Sequence, residues 1–155
     1  MHITRKAMPI VLPLFASIAL LGCNGSDKDN STKELDQARA TWTKANLTYY
    51  QFTYQRFCFY PATEALIIEV HNNQVTSAFY TPSGTYLSDE ELADVQTIDE
   101  LFDAIEELIV DQADEVTVNY NSTYGYPEQV DVDLYKAAVD DEFTLNITDF
   151  QPIQN

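Results

Sequence analysis

Basic residues are scarce: 8 Lys and Arg stand against 25 Asp and Glu, for a formal charge of -17 over 155 residues. Each phosphate contact wants a cation, so nucleic acid and anionic membrane surfaces are disfavoured as electrostatic partners. The same charge suits cationic partners or divalent ions and helps solubility. Glycine is rarer still, with 4 in the chain, and no phosphate loop or dinucleotide-binding turn can be assembled from them. The 2 cysteines, Cys23 and Cys58, and the 2 histidines have no zinc spacing. His71 is the only histidine beyond residue 2, which leaves nothing for a catalytic triad that needs another. Long hydrophobic runs are limited to residues 7–21, about 15 residues interrupted by Pro9 and Pro13. A spanning helix needs about 20 apolar residues, so this run reads as the apolar stretch of a signal peptide behind Arg5 and Lys6.

That run ends in Leu20-Leu21-Gly22-Cys23, which resembles the lipobox of bacterial lipoproteins. Gly22 supplies the small residue before the cut, and Cys23 supplies the thiol that becomes the acylated N-terminus. Each buried acyl methylene adds about 0.8 kcal/mol, so two or three chains hold a protein at a bilayer almost irreversibly. The expectation is a signal peptide over residues 1–22, then the lipidated Cys23 with a flexible tether through residue 33, and a single domain over residues 34–155. The tether follows from composition, since residues 24–33 are small or polar and bury nothing. Cleavage before Cys23 also removes Arg5 and Lys6, making the remaining chain more acidic still. Asn24 rather than Asp follows the cysteine, and the lipobox resemblance then implies transfer to the outer membrane if the cell has two membranes.

From Ser31 the pattern turns helical, with Leu35, Ala38, Trp42 and Ala45 on one stripe. Residues 49–58 switch to period two, with Tyr50, Phe52, Tyr54 and Cys58 on one face and Gln51, Thr53 and Gln55 on the other. Leu66, Ile68 and Val70 alternate in a second strand, Asn72-Asn73 suits a tight turn, and residues 74–81 form a third strand with Val75 and Phe79 inward. Thr97-Ile98-Asp99-Glu100 is a capping box opening a helix whose apolar stripe runs Ile98, Leu101, Phe102, Ile105, Leu108 and Ile109. Three more strands are expected at residues 115–121, 129–135 and 142–150. Their inward sets are Val116, Val118 and Tyr120, then Val130, Val132 and Leu134, then Phe143, Leu145 and Ile147. The order αβββαβββ implies an α+β fold: two layers, a largely antiparallel sheet of about six strands, and two helices on one face. The halves repeat each other loosely, since Phe59-Tyr60-Pro61 echoes Gly125-Tyr126-Pro127.

Few constellations carry chemistry. Cys58 shares parity with Phe52 and Tyr54, so it is expected to be buried as a small hydrophobe. A Cys58–His71 dyad fails, because a hairpin puts Cys58 near the turn and His71 about opposite Gln51, more than about 20 Å away at about 3.4 Å per residue. Asp131, Asp133 and Glu142 occupy positions one, three and twelve of an EF-hand loop, but Lys136 stands where the turn needs Gly. The alternation of Val130, Val132 and Leu134 also demands a strand there. These carboxylates are instead expected on the solvent face of the sheet, as a partner-binding or loose cation face. Tyr124-Gly125-Tyr126-Pro127 reads as turn chemistry, with an aromatic platform at Tyr124 and Tyr126 as the functional alternative.

Trp42, the Tyr-rich strand ending in Cys58, residues 97–102 reading TIDELF, residues 124–127 reading YGYP, Asp131-Val132-Asp133 and Asp140-Asp141-Glu142, together with the lipobox, resemble a family of bacterial lipoproteins catalogued as domain of unknown function 6174. The resemblance covers roughly residues 38–150 and implies fold and envelope localisation, not an activity. Members of the family often carry a second cysteine two positions after the first, where this chain has Tyr60, so a local disulfide there is excluded. The reading as a whole is a bacterial envelope lipoprotein, anchored in the lipid bilayer through acylated Cys23. It acts as a non-enzymatic binding or accessory module for an envelope protein or ligand, with no cofactor, no metal and no nucleic acid. The alternative is a cation-dependent enzyme or cation-binding protein built on acidic residues, which requires carboxylates converging in a pocket.

Overall fold

The computed structural model describes residues 25–58 and 63–153. Helix α1 (Gly25–Ala45) leads into a meander of β1 (Tyr49–Cys58), β2 (Ala65–His71) and β3 (Gln74–Thr81). A short α2 (Asp89–Leu92) and then α3 (Ile98–Glu107) precede a second meander of β4 (Glu115–Tyr120), β5 (Pro127–Asp133) and β6 (Phe143–Pro152). The six strands form one antiparallel sheet in the order β3-β2-β1-β6-β5-β4. The α+β architecture is the expected one. The lipobox with Cys23, and Phe59-Tyr60-Pro61, lie outside the described residues.

Helix α3 docks because its sequence stripe and its cap agree. Thr97 Oγ1 accepts from the Glu100 backbone N–H at 3.3 Å, and the Glu100 carboxylate accepts from the Thr97 N–H at 2.8 Å. Two orphan amides of the first turn are thereby satisfied. Ile98, Leu101, Phe102 and Ile105 then bury against the sheet, and Trp42 of α1 is buried beside them. Trp42 meets Tyr50 edge-on at 5.2 Å, and its indole N–H donates to Asp99 at 3.1 Å. The Tyr50 hydroxyl receives the Ile98 N–H at 3.1 Å, and burial pushes its phenol far above the ordinary range. Beyond Glu107 the helix widens into a π turn, Leu108–Gln112, which keeps Ile109 in the core. A second capping box, Ser88 with Glu91, opens α2 in a stretch that the sequence reading left unassigned.

Several expectations are corrected. Residues 25–33, expected as part of the tether, are the first turns of α1. They are tied down by Lys28, whose ammonium donates to the carbonyls of Val110 and Ala113 at 3.5 and 3.3 Å. Phe79 faces away from the helices, because a bulge between the Glu69 and Val70 pairings adds one residue to β3 and flips its alternation. Ala78 takes the buried place instead. Cys58 is exposed. It keeps the parity of Phe52, but β1 runs past its last partner in β2, the Tyr54–Leu66 pair, and the end of the strand has less to pack against. His71 pairs with Tyr49 and meets its ring at a tilt of 39°, centroids 4.6 Å apart, at the opposite end of β1 from Cys58. Each half contributes a helix and a three-stranded meander, with β1 central in the sheet and β4, its counterpart in order, at an edge.

Candidate functional site

With α1 and α3 on one side, the other side of the sheet is left without a layer of its own, and its side chains follow from strand parity. On the β1, β6 and β5 part they are Gln51, Thr53, Gln55, Thr144, Asn146, Gln129 and Asp131, in register across the strands. Asp131 is half-buried and accepts from Gln129 Nε2 and Thr144 Oγ1, both at 2.7 Å. At the other end of the same face the Tyr49 hydroxyl donates to Glu69 at 3.0 Å, and that carboxylate holds the phenol above its usual range.

Asp133 ends β5 in an acidic group. Its carboxyl is raised above the ordinary range by desolvation first, then by the charges of Asp141, Glu142, Asp114 and Glu115. Asp133 Oδ1 and Asp141 Oδ1 are shielded from water without a hydrogen-bond partner. Three of the oxygens around them are engaged. Asp141 Oδ2 accepts from the Tyr135 N–H at 2.8 Å and Asp114 Oδ2 from the Lys136 N–H at 3.0 Å, while Glu115 pairs with the Lys136 ammonium at 3.1 Å. The structure thus brings Asp133 and Glu142 together, and Asp131 stands apart, held by its neighbours on the face. Among the described residues, no three His, Cys, Asp or Glu side chains converge closely enough to hold a metal ion.

Tyr124 and Tyr126 serve the other side of the molecule. Tyr126 is buried and stacks on Phe150 at 4.5 Å, with its phenol pushed up to about 12 by burial and by the Glu128 charge. Tyr124 is half-buried and meets the same Phe150 ring at 5.6 Å. The turn that carries them is built by Asn121, whose side-chain oxygen accepts from the N–H groups of Thr123 and Tyr124 at 3.0 and 2.9 Å. Gly125 has φ +83°, and a Cβ there would collide with the Ala38 carbonyl of α1.

A family model for a family of unknown function, DUF6174, matches residues 34–152. The chain belongs to that family. No curated protein matches it. Two of the segments on which the resemblance to DUF6174 rests have architectural work: residues 97–102 cap and dock α3, and residues 124–127 seat the second meander against α1. The lipobox lies outside the matched span. No described helix is long and apolar enough to cross a membrane.

Sequence reasoning missed one part of the open face. Ile67 and Phe79 are paired there, and Tyr86, 68% exposed, leans on Phe79 with ring centroids 5.2 Å apart and a tilt of 41°. The signal was legible in part, because the run Leu66-Ile67-Ile68 breaks the alternation and must send one apolar residue to the far face. The open face therefore carries a small apolar patch on its β2–β3 side and carboxylates on its β4–β5 side.

Proposed function

We propose that this protein is a lipid-anchored envelope lipoprotein serving as a binding or accessory module. Acylated Cys23 holds it at the bilayer, and the uncovered sheet face is offered to a basic protein surface in the envelope. One observation carries the reading: the helices pack on a single side of the sheet, leaving the other side with an apolar patch, hydrogen-bonding side chains and an acidic end. That combination suits a partner whose cations meet Asp131, Asp133 and Glu142 while an apolar group meets Ile67 and Phe79. Charge steering of this kind weakens with salt over a Debye length of about 8 Å.

The test has two arms. Cys23→Ser should accumulate as unprocessed precursor and lose detergent partitioning; normal cleavage and unchanged partitioning would remove the anchor from the proposal. Asp131→Asn with Asp133→Asn should weaken capture of the envelope partner with the fold intact. A second reading, a loosely held cation, is favoured by the two orphaned oxygens of Asp133 and Asp141. Calcium raising the melting temperature of the parent but not of the double variant would decide for it.

A further inference from the structure

The end of the sheet beside the first turns of α1 differs from the opposite end in what it exposes. Helix α1 begins at Gly25, and its Lys28 lies against Val110 and Ala113, at the start of β4. Around that point three large apolar side chains stand in solvent: Val110, 51% exposed, on the π turn, and Tyr135 and Val139, 62% and 83% exposed, in the connection from β5 to β6. Lys28, Leu134 and Tyr135 line one shallow cleft there. At the opposite end, where α1 stops and residues 121–126 turn, the large aromatic Tyr126 is buried.

We infer that this end of the domain rests on the lipid headgroups, with Val110, Tyr135 and Val139 at the interface. The inference rests on the lipid-anchor reading of Cys23. One residue, Asn24, stands between Cys23 and Gly25, so two Cα–Cα steps keep the anchor within about 7 Å of the start of α1. An acylated Cys23 thus has almost no free chain, and the side chains beside the start of α1 are the ones it brings to the bilayer. Tyrosine suits that depth, since its ring is apolar and its hydroxyl stays wet. Asp111, Asp114, Glu115, Asp133, Asp141 and Glu142 share this end, and their charges hold the contact at headgroup level and weaken it as anionic lipid is added. α1 then points away from the membrane, and the open sheet face stands upright, with its acidic end, Asp133 and Glu142, beside the headgroups and Asp131 and the rest of the face above them for a protein partner.

The experiment uses the acylated protein in vesicles of phosphatidylethanolamine and phosphatidylglycerol, with Cys58→Ser so that acylated Cys23 leaves no competing thiol. A nitroxide is placed at Val139→Cys or, at the opposite end, at Ser122→Cys. The label at position 139 should be less accessible to a water-soluble nickel chelate and more accessible to oxygen than the label at 122, with the difference shrinking as phosphatidylglycerol is raised. Equal accessibility at the two positions, or shielding at 122 instead, in protein that still floats with the vesicles, overturns the orientation and leaves the anchor standing. Failure of the Cys23-bearing protein to float overturns both.

Discussion

At the scale of single residues, two positions show how differently a side chain can matter here. Gly125 is required by geometry: its φ is +83°, and an added Cβ would strike the Ala38 carbonyl and lie 2.9 Å from Thr41 Cβ. Gly125→Ala should therefore cost about 2 to 4 kcal/mol, because backbone strain and a clash with helix backbone add together. Urea denaturation measures this, and a loss under about 1 kcal/mol would show that the turn can move off α1. Asp133 is the opposite case, a residue whose charge opposes the fold. Its carboxyl is held above the ordinary range, so ionisation costs more folded than unfolded. That penalty is absent at low pH, where the group is protonated in both states. It grows as pH rises through the ordinary Asp range near about 4 and is complete above the raised folded value. Asp133→Asn should melt above the parent at neutral pH, with the gap closing as the solution is acidified; a constant gap would assign the effect to something other than charge.

At the scale of elements, α3 was readable from sequence because cap and stripe reinforce each other. Its apolar positions recur at helical spacing directly after Thr97-Ile98-Asp99-Glu100, and the structure buries Ile98, Leu101, Phe102 and Ile105. Phe102 is also flanked by the Arg39 guanidinium at 5.7 Å, which pairs with Asp103 and Glu106 at 3.3 and 2.9 Å. Phe102→Ala should cost about 3 to 5 kcal/mol, as lost transfer energy plus an unfilled cavity. Thermal melts should follow that loss, and a variant within about 1 kcal/mol of the parent would mean that α3 does not dock on the sheet. Elements that depend on a single irregularity were harder. β3 contains every residue expected of it, yet one bulge turns Phe79 outward and Ala78 inward.

At the scale of the whole molecule, the sheet is closed by its last strand. β6 pairs with β1 along eight registered positions from Cys58–Phe143 to Tyr50–Pro152, and it also carries β5. The two meanders meet only through that pairing in the strand order. A chain ending before Phe143 should thus lose the fold rather than an edge, because both halves lose their shared neighbour and the long-range burial that came with it. Far-ultraviolet circular dichroism and amide shift dispersion read this directly. A truncated chain with native dispersion would show that the halves fold independently.

The sequence by itself determined the six strands, the two long helices and their order, the inward sets of most strands and the cap of α3, because those depend on periodicity and on local hydrogen bonding within a few residues. The residues of the acidic end were also visible as Asp131, Asp133 and Glu142. Only the tertiary structure decided which of them meet. Asp133 feels the charges of Glu142, Asp114, Glu115 and Asp141 because β4, β5 and the connection to β6 end at one corner, and Asp131 is tied instead to Gln129 and Thr144. It likewise decided that Cys58 is exposed, that residues 25–33 are helix, and that β6 rather than β4 lies beside β1. Each of these is set by contacts between residues far apart in the chain, and local periodicity carries no information about which distant surface arrives to cover a face or to leave it bare.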